Sequence, residues 1–241
     1  MSRKRRYFPS GFGGDSISRR DAGRRPSKSI LIVTEGQNTE PCYFKALAGL
    51  WNVHPKLIQI EPGGEGIPAN LVKRAKEEIK RLARLERAGQ LAFNQLGRFD
   101  ETWIVFDTEH AQRQGRLDDG VAAAREAGFR IAHSSPCFEF WLALHYAGNA
   151  PPMTTCAEAV RLLEMVGKLA AGKYSKEQGA SEAFLKALVP EVATAVRNAR
   201  TLTGNQDGED FPANPSTTLQ NLVASIHETL PEVMKERFPL M

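Results

Sequence analysis

The sequence predicts an α/β fold in which a parallel sheet is flanked by helices and followed by a C-terminal helical part. Short apolar runs rich in Val, Ile and aromatic residues alternate with helical patterns as far as about residue 150. This alternation is typical of parallel strands joined by crossover helices. After Pro151-Pro152 the apolar residues keep only helical spacing. With 41% hydrophobic residues in 241, the chain can build a substantial core.

Three regions are predicted along the chain: a disordered basic tail over 1–28, an α/β domain over 29–150 and a helical C-terminal extension over 151–241. The tail holds nine basic and two acidic residues, a charge of +7, whereas the remaining chain carries −3. Such a tail could contact a nucleic-acid backbone, or it could be a solubilising leader without a binding role. The contacts predicted for the first case are Arg3, Arg5, Arg19 and Arg24.

Strands are predicted at 30–33, 57–60, 102–106 and 129–132. Asn38 or Thr39 is placed to cap a helix after the first strand. An amphipathic helix is predicted over 69–88, with Lys, Arg and Glu on its outer face. A further helix covers about 118–127, and Phe138–Leu144 is apolar almost all round, as in a buried helix. The C-terminal helices are expected at about 155–170, 180–201 and 216–231.

Composition narrows the class of protein. Three widely spaced cysteines without a CxxC pair argue against a disulfide framework and against a zinc cluster. No run of 18 apolar residues is present, and the basic N-terminus lacks the apolar segment of a signal peptide. We therefore expect a cytoplasmic protein with no membrane association.

Acidic side chains follow two of the predicted strands. Glu35 ends the first strand, Asp107 ends the third, and Glu109 lies two residues later. Parallel strands bring these ends to one edge of the sheet, where ligands of open α/β sheets bind. Clustered carboxylates repel one another unless a cation is present, and oxygen ligands suit Mg²⁺ or Mn²⁺. From spacing alone, solvated loop acids explain the pattern as well as a metal site does.

Several blocks of the sequence resemble the RloB family. They are Ile30–Phe44 with its TEGQNTEPCYF segment, Trp103–His110, Ser135–His145 and Asn214–Thr218. The blocks follow one another in family order from about residue 29 to 232, and only the basic tail lies outside that span. Several motifs in order are far more specific than any single one.

The resemblance implies a Toprim-like (Rossmann-like) domain, the fold of topoisomerases, primases and overcoming-lysogeny-type nucleases. It also implies an association with restriction-modification and phage-defence loci. By this resemblance Glu35 is the catalytic acid or base, and Asp107 with Glu109 binds the metal. Toprim domains usually carry Asp-x-Asp, whereas this chain has Asp107-Thr108-Glu109, which keeps the charge but makes the second acid longer by one methylene.

Glu139 is the next candidate for the site. It lies in the first turn of a helix that otherwise reads as buried, and a buried carboxylate must be paired or metal-bound. A second catalytic or ligand role and a plain first-turn acid remain open alternatives. Weaker candidates for substrate contact are Glu40, His110, His133, Lys173 and Lys176, each of which an ordinary structural role would also explain.

Three functions compete at this point. The first is a Mg²⁺-dependent nuclease of phage defence that acts on DNA or RNA. The second is a non-catalytic module that senses a nucleotide or nucleic acid and signals to a defence-system partner protein. The third is a nucleotidyltransferase or primase-like enzyme, for which the sequence offers no clear nucleotide pocket.

Overall fold

A computed structural model describes residues 28–64, 67–109, 117–167, 174–179, 181–203 and 215–240. The tail arginines Arg3, Arg5, Arg19 and Arg24 lie outside the described residues. So do His110 and Lys173. Among the described residues, no helix is long and apolar enough to cross a membrane.

One five-stranded sheet forms the centre of the fold, in the order β2-β1-β3-β4-β5. The first four strands are parallel, which confirms the predicted α/β class. Their bounds are β1 Ile30–Thr34, β2 Ile58–Pro62, β3 Glu101–Asp107 and β4 Arg130–Ser135. The fifth, β5 Ser216–Thr217, pairs antiparallel with β4. The helix predicted over about 216–231 begins at Leu219, after this strand, so only its predicted start is wrong. Two residues carry too short a pattern to be recognised as a strand.

Helices cover both faces of the sheet. Alternate residues of the strands point to opposite faces, and their contacts show which helices pack on each face. Leu31 and Phe106 point into a cluster with α2 (Pro68–Arg87) and α3 (Leu117–Glu126). Ile32 and Trp103 face the other cluster, which contains α1 (Thr39–Leu50) and the fully buried α4 (Phe138–Ala143). The buried helix expected after the fourth strand is therefore confirmed.

The C-terminal helices add to the second cluster, which extends from Ile30 to Leu240. In chain order they are α5 Cys156–Val166, α6 Lys176–Gly179, α7 Glu182–Leu188, α8 Val192–Thr203, α9 Leu219–Glu228 and α10 Glu232–Arg237. A 3₁₀ turn over Val189–Glu191 joins α7 to α8. The sheet and these helices thus share one hydrophobic core.

Candidate functional site

The carboxyl ends of β1 and β3 bring two predicted site residues together. Glu35 continues the ladder beyond β1, because its backbone N–H donates to the carbonyl of Val105 at 2.9 Å. Its Oε2 then accepts the backbone N–H of Asp107 at 3.0 Å. The first acid is therefore oriented by the backbone that presents the second.

Glu40 joins this edge from the first turn of α1. Its side chain is buried, and its Oε1 accepts the backbone N–H of Gly36 at 2.9 Å. A Cβ atom at position 36 would collide with the Glu40 carboxylate. A side chain at position 36 would therefore have to displace the Glu40 carboxylate from its hydrogen bond to the Gly36 N–H.

Glu139 enters from the first turn of α4 and is only 3% exposed. The hydroxyl of Tyr174 donates to its Oε1 at 3.2 Å, and the Sγ of Cys156 lies 3.4 Å from its Oε2. Burial and the neighbouring Glu139 carboxylate raise the pKa of Tyr174. Sequence reasoning missed Tyr174, although its position beside Lys176 could have drawn attention to it.

Glu109, the second member of the expected metal pair, faces a different partner. Its Oε2 accepts the backbone N–H of Cys156 at 2.9 Å, at the first residue of α5. A capping box between Thr155 and Glu158 fixes the start of that helix. Glu109 therefore places its charge at the positive end of α5, and it does not line the cavity beside Asp107.

A cavity of about 70 Å³ lies between Asp107, Glu40 and Glu139. Its lining consists of Gly36, Gln37, Asn38, Thr39, Glu40, Asp107, Phe138, Glu139 and Lys176. Two larger cavities, of about 440 and 520 Å³, border α1 elsewhere and include none of Asp107, Glu139 and Glu40. Of these three cavities, the small one is therefore lined by the candidate site residues Asp107, Glu139 and Glu40.

Asp107 is the acid on which burial and repulsion by the neighbouring carboxylates act together. Burial raises the pKa of its carboxyl well above the usual range, and Glu40, Glu139 and Glu35 raise that pKa further. Burial and the Glu139 charge likewise raise the pKa of Glu40. Lys176 is the cation that opposes both shifts. Mutual repulsion of this kind is what a bound cation relieves.

The donor set suits a hard divalent cation. Carboxylate oxygens of Asp107, Glu40 and Glu139 are the ligands that Mg²⁺ and Mn²⁺ prefer. Among the described residues, however, no three carboxylates bring an oxygen each within 4.8 Å of one another. A cation would therefore have to draw these side chains inward.

Two cysteines beside the acids form a disulfide, Cys137–Cys156, contrary to the expectation from their spacing. They stand 19 residues apart in sequence, but Cys137 caps α4 and Cys156 begins α5. Packing of these two helices brings the sulfurs together, and a local sequence motif does not predict this pairing. Cys137, Glu139 and Cys156 are also the only compact set of candidate metal ligands in the described part of the chain. Sulfurs bonded to each other are not thiolate ligands.

His133 lies within β4 and not at its end, since the strand continues to Ser135. It is fully buried, its Nδ1 is 3.1 Å from the Thr218 hydroxyl, and burial lowers its pKa to about 4. His133 is thus part of the contact between β4 and the segment that follows β5. Lys176, in contrast, lines the acidic cavity.

Comparison with models of protein families matches most of the chain. The family model described as RloB-like protein matches residues 30–226, which include all the acids of the cavity. No curated protein and no solved structure matches the chain.

Proposed function

This chain belongs to the RloB-like family, and we propose that its acidic cavity is the active site of a metal-dependent nuclease. The observation that carries the proposal is the convergence of Asp107 with the buried Glu40 and Glu139 on one cavity, where burial and the neighbouring carboxylates raise the pKa of Asp107. A folded protein retains such repulsion where function needs it. The Toprim-like character of the domain and a role in phage defence, which the sequence resemblance implies, belong to the same proposal.

Asp107, Glu139 and Glu40 would hold the cation, Mg²⁺ or Mn²⁺. When bound, the ion would supply Lewis-acid polarisation of a phosphoryl oxygen. Lys176, at the rim of the cavity, carries the positive charge that would bind a non-bridging phosphate oxygen.

Glu35 is the residue that would move a proton. Its Oε2 is held by the Asp107 N–H, which fixes the carboxylate at the sheet edge. From there it would accept a proton from the attacking water as a general base. Tyr174 would keep Glu139 turned toward the cavity through its hydrogen bond to Oε1.

The test is hydrolysis of single-stranded and duplex DNA and RNA by the full-length protein with Mg²⁺, with Mn²⁺ and with EDTA. We expect metal-dependent cleavage that falls more than about 100-fold in Asp107→Asn and Glu139→Gln, since even residues outside the first coordination sphere cost 10–100-fold. Asp119→Asn and Glu126→Gln are the matched controls, because both residues are exposed on α3.

Cleavage that persists in EDTA or in Asp107→Asn would contradict the proposal. Calorimetric binding of Mn²⁺ should accompany the assay. Metal binding that is lost in Asp107→Asn, without cleavage of any substrate, would instead favour a module that senses nucleotides or nucleic acid and signals to a partner protein.

A further inference from the structure

Helix α2 carries a row of cationic side chains on its outer face. The row consists of Lys73, Lys76, Lys80, Arg84 and Arg87, all exposed, and is called the basic stripe below. Spacings of three and four residues keep these side chains on one side of the helix. At 1.5 Å per residue the stripe is about 21 Å long.

Packing does not explain the stripe. The opposite side of α2 supplies the core, with Leu71, Ala75 and Leu82 fully buried. Like charges four residues apart, as in Lys76–Lys80 and Lys80–Arg84, each cost roughly 0.2–0.5 kcal/mol in a helix. An anionic partner would relieve that cost.

Intramolecular ion pairs do not neutralise the stripe either. The helix has seven basic and three acidic residues, and of these basic residues only Arg81 is ion-paired within the described part of the chain, with Glu78. Glu77 borders the stripe without an ion pair to any of its members. Because the chain beyond residue 28 has a net charge of −3, this positive surface is a local feature.

The stripe extends away from the acidic cavity. The loop that leads from β2 into α2 passes beside β1, where the Gly63 N–H donates to the Thr34 carbonyl at 2.7 Å. Thr34 directly precedes Glu35. The N-terminal end of α2 therefore lies at the carboxyl edge of the sheet, and the stripe runs along the helix from that edge.

We propose that the basic stripe binds the phosphate backbone of a nucleic-acid duplex and guides it to the acidic cavity, an inference that rests on the proposed nuclease function. A duplex is favoured because single-strand sites stack bases on aromatic side chains, and α2 contains no aromatic residue. Beyond the helix, the exposed ring of Phe93 already has the Lys56 ammonium 5.3 Å from its centroid.

The test is fluorescence anisotropy of a labelled 20-base-pair DNA duplex with the full-length protein in EDTA, over a range of salt concentrations. The stripe variant is Lys76→Gln/Lys80→Gln/Arg84→Gln. Its matched control, Lys45→Gln/Lys186→Gln/Arg197→Gln, removes three exposed charges from other helices. Both variants keep the basic N-terminal residues, so the contribution of those residues cancels in the comparison.

We expect the stripe variant to bind at least about tenfold more weakly near 0.1 M salt and its log–log salt slope to fall by about 2–3, since each lost phosphate contact removes about 0.9. The control should retain the wild-type slope. Equal weakening in both variants, or none in the stripe variant, would overturn the proposal. Tighter binding of a matched single strand would overturn the choice of a duplex.

Cleavage by the same proteins separates this inference from the proposed function. Stripe-dependent binding without cleavage by any form would leave the binding surface standing and remove the nuclease. Metal-dependent cleavage, with identical duplex binding by wild type and stripe variant, would keep the nuclease and remove the surface.

Discussion

The two ends of strand β3 each carry a carboxylate, and the surroundings of these carboxylates shift their pKa values in opposite directions. At one end Glu101 accepts hydrogen bonds from Lys28 and Ser225 and pairs with Arg130 at 3.1 Å. Burial acts to raise the pKa of Glu101, but these hydrogen bonds outweigh it and the pKa lies below its ordinary value. At the other end Asp107 faces other acids and its pKa is raised.

The difference separates an acid that is neutralised by cations from one that faces other acids on the same strand. Lys28 joins Glu101 to α9, because its ammonium also contacts Glu228 at 2.8 Å. Asp107 has Lys176 as its only opposing cation among the principal influences on its pKa. The carboxylate at the amino edge of the sheet is thus stabilised by cations, whereas the carboxylate at the carboxyl edge is repelled by other acids.

The largest expected effect concerns how the acidic end is held together. The Cys137–Cys156 disulfide links α4, which carries Glu139, to α5, whose first residue donates a backbone hydrogen bond to Glu109. Reducing it should lower the free energy of unfolding by about 3 kcal/mol, as expected for a loop of about 20 residues. Urea unfolding with and without reductant measures this. Cys42→Ser should respond like the wild type, because Cys42 is a free cysteine; an unchanged midpoint after reduction would show that the link contributes nothing.

The next effect concerns Glu101 and its cationic partners at the amino end of β3. Lys28→Met should cost about 2 kcal/mol, less than the 3–5 of a fully broken buried pair, because Arg130 remains beside Glu101. Thermal unfolding at neutral pH is the measurement. In the control, Lys186→Met removes an exposed pair with Glu182 and should cost less than about 0.5 kcal/mol. Equal losses in the two variants would erase the contrast drawn for Glu101.

A smaller effect, of opposite sign, is expected at the acidic end. Without divalent metal, Asp107→Asn should raise the melting temperature at pH 7, because burial and the neighbouring carboxylates disfavour the charged form of Asp107. The substitution removes one charge from a repelling cluster. Melting in EDTA tests this against Asp119→Asn, which removes an exposed first-turn acid of α3 and should not stabilise the protein. A destabilised Asp107→Asn would mean that the carboxylate is satisfied after all.

The pH dependence of that difference should be the subtlest effect. Because Asp107 and Glu40 have raised pKa values in the folded state, the stability they contribute is fully present below the ordinary carboxyl pKa and is lost as pH rises through the raised values. The advantage of Asp107→Asn should therefore vanish near about pH 4 and grow toward neutrality. An advantage that is constant with pH would have another origin than charge.

The sequence by itself determined the parallel strands of the sheet and the acidic residues that stand at two of their ends. Apolar runs gave four parallel strands, and the residues after two of them gave Glu35 and Asp107, since strand ends follow from local pattern and parallel strands share an edge. The position of Glu139 in a buried first turn was also a local signal. The family assignment rests on the same segments and is confirmed over residues 30–226.

Only the tertiary structure decided which groups meet. The Cys137–Cys156 link, the turn of Glu109 toward α5 and the contact of Tyr174 with Glu139 join residues 19, 47 and 35 positions apart. The antiparallel pairing of β5 with β4 is also long-range and too short to leave a pattern. Such contacts arise from the packing of separate helices on a shared core, and periodicity within one segment carries no information about its distant neighbours.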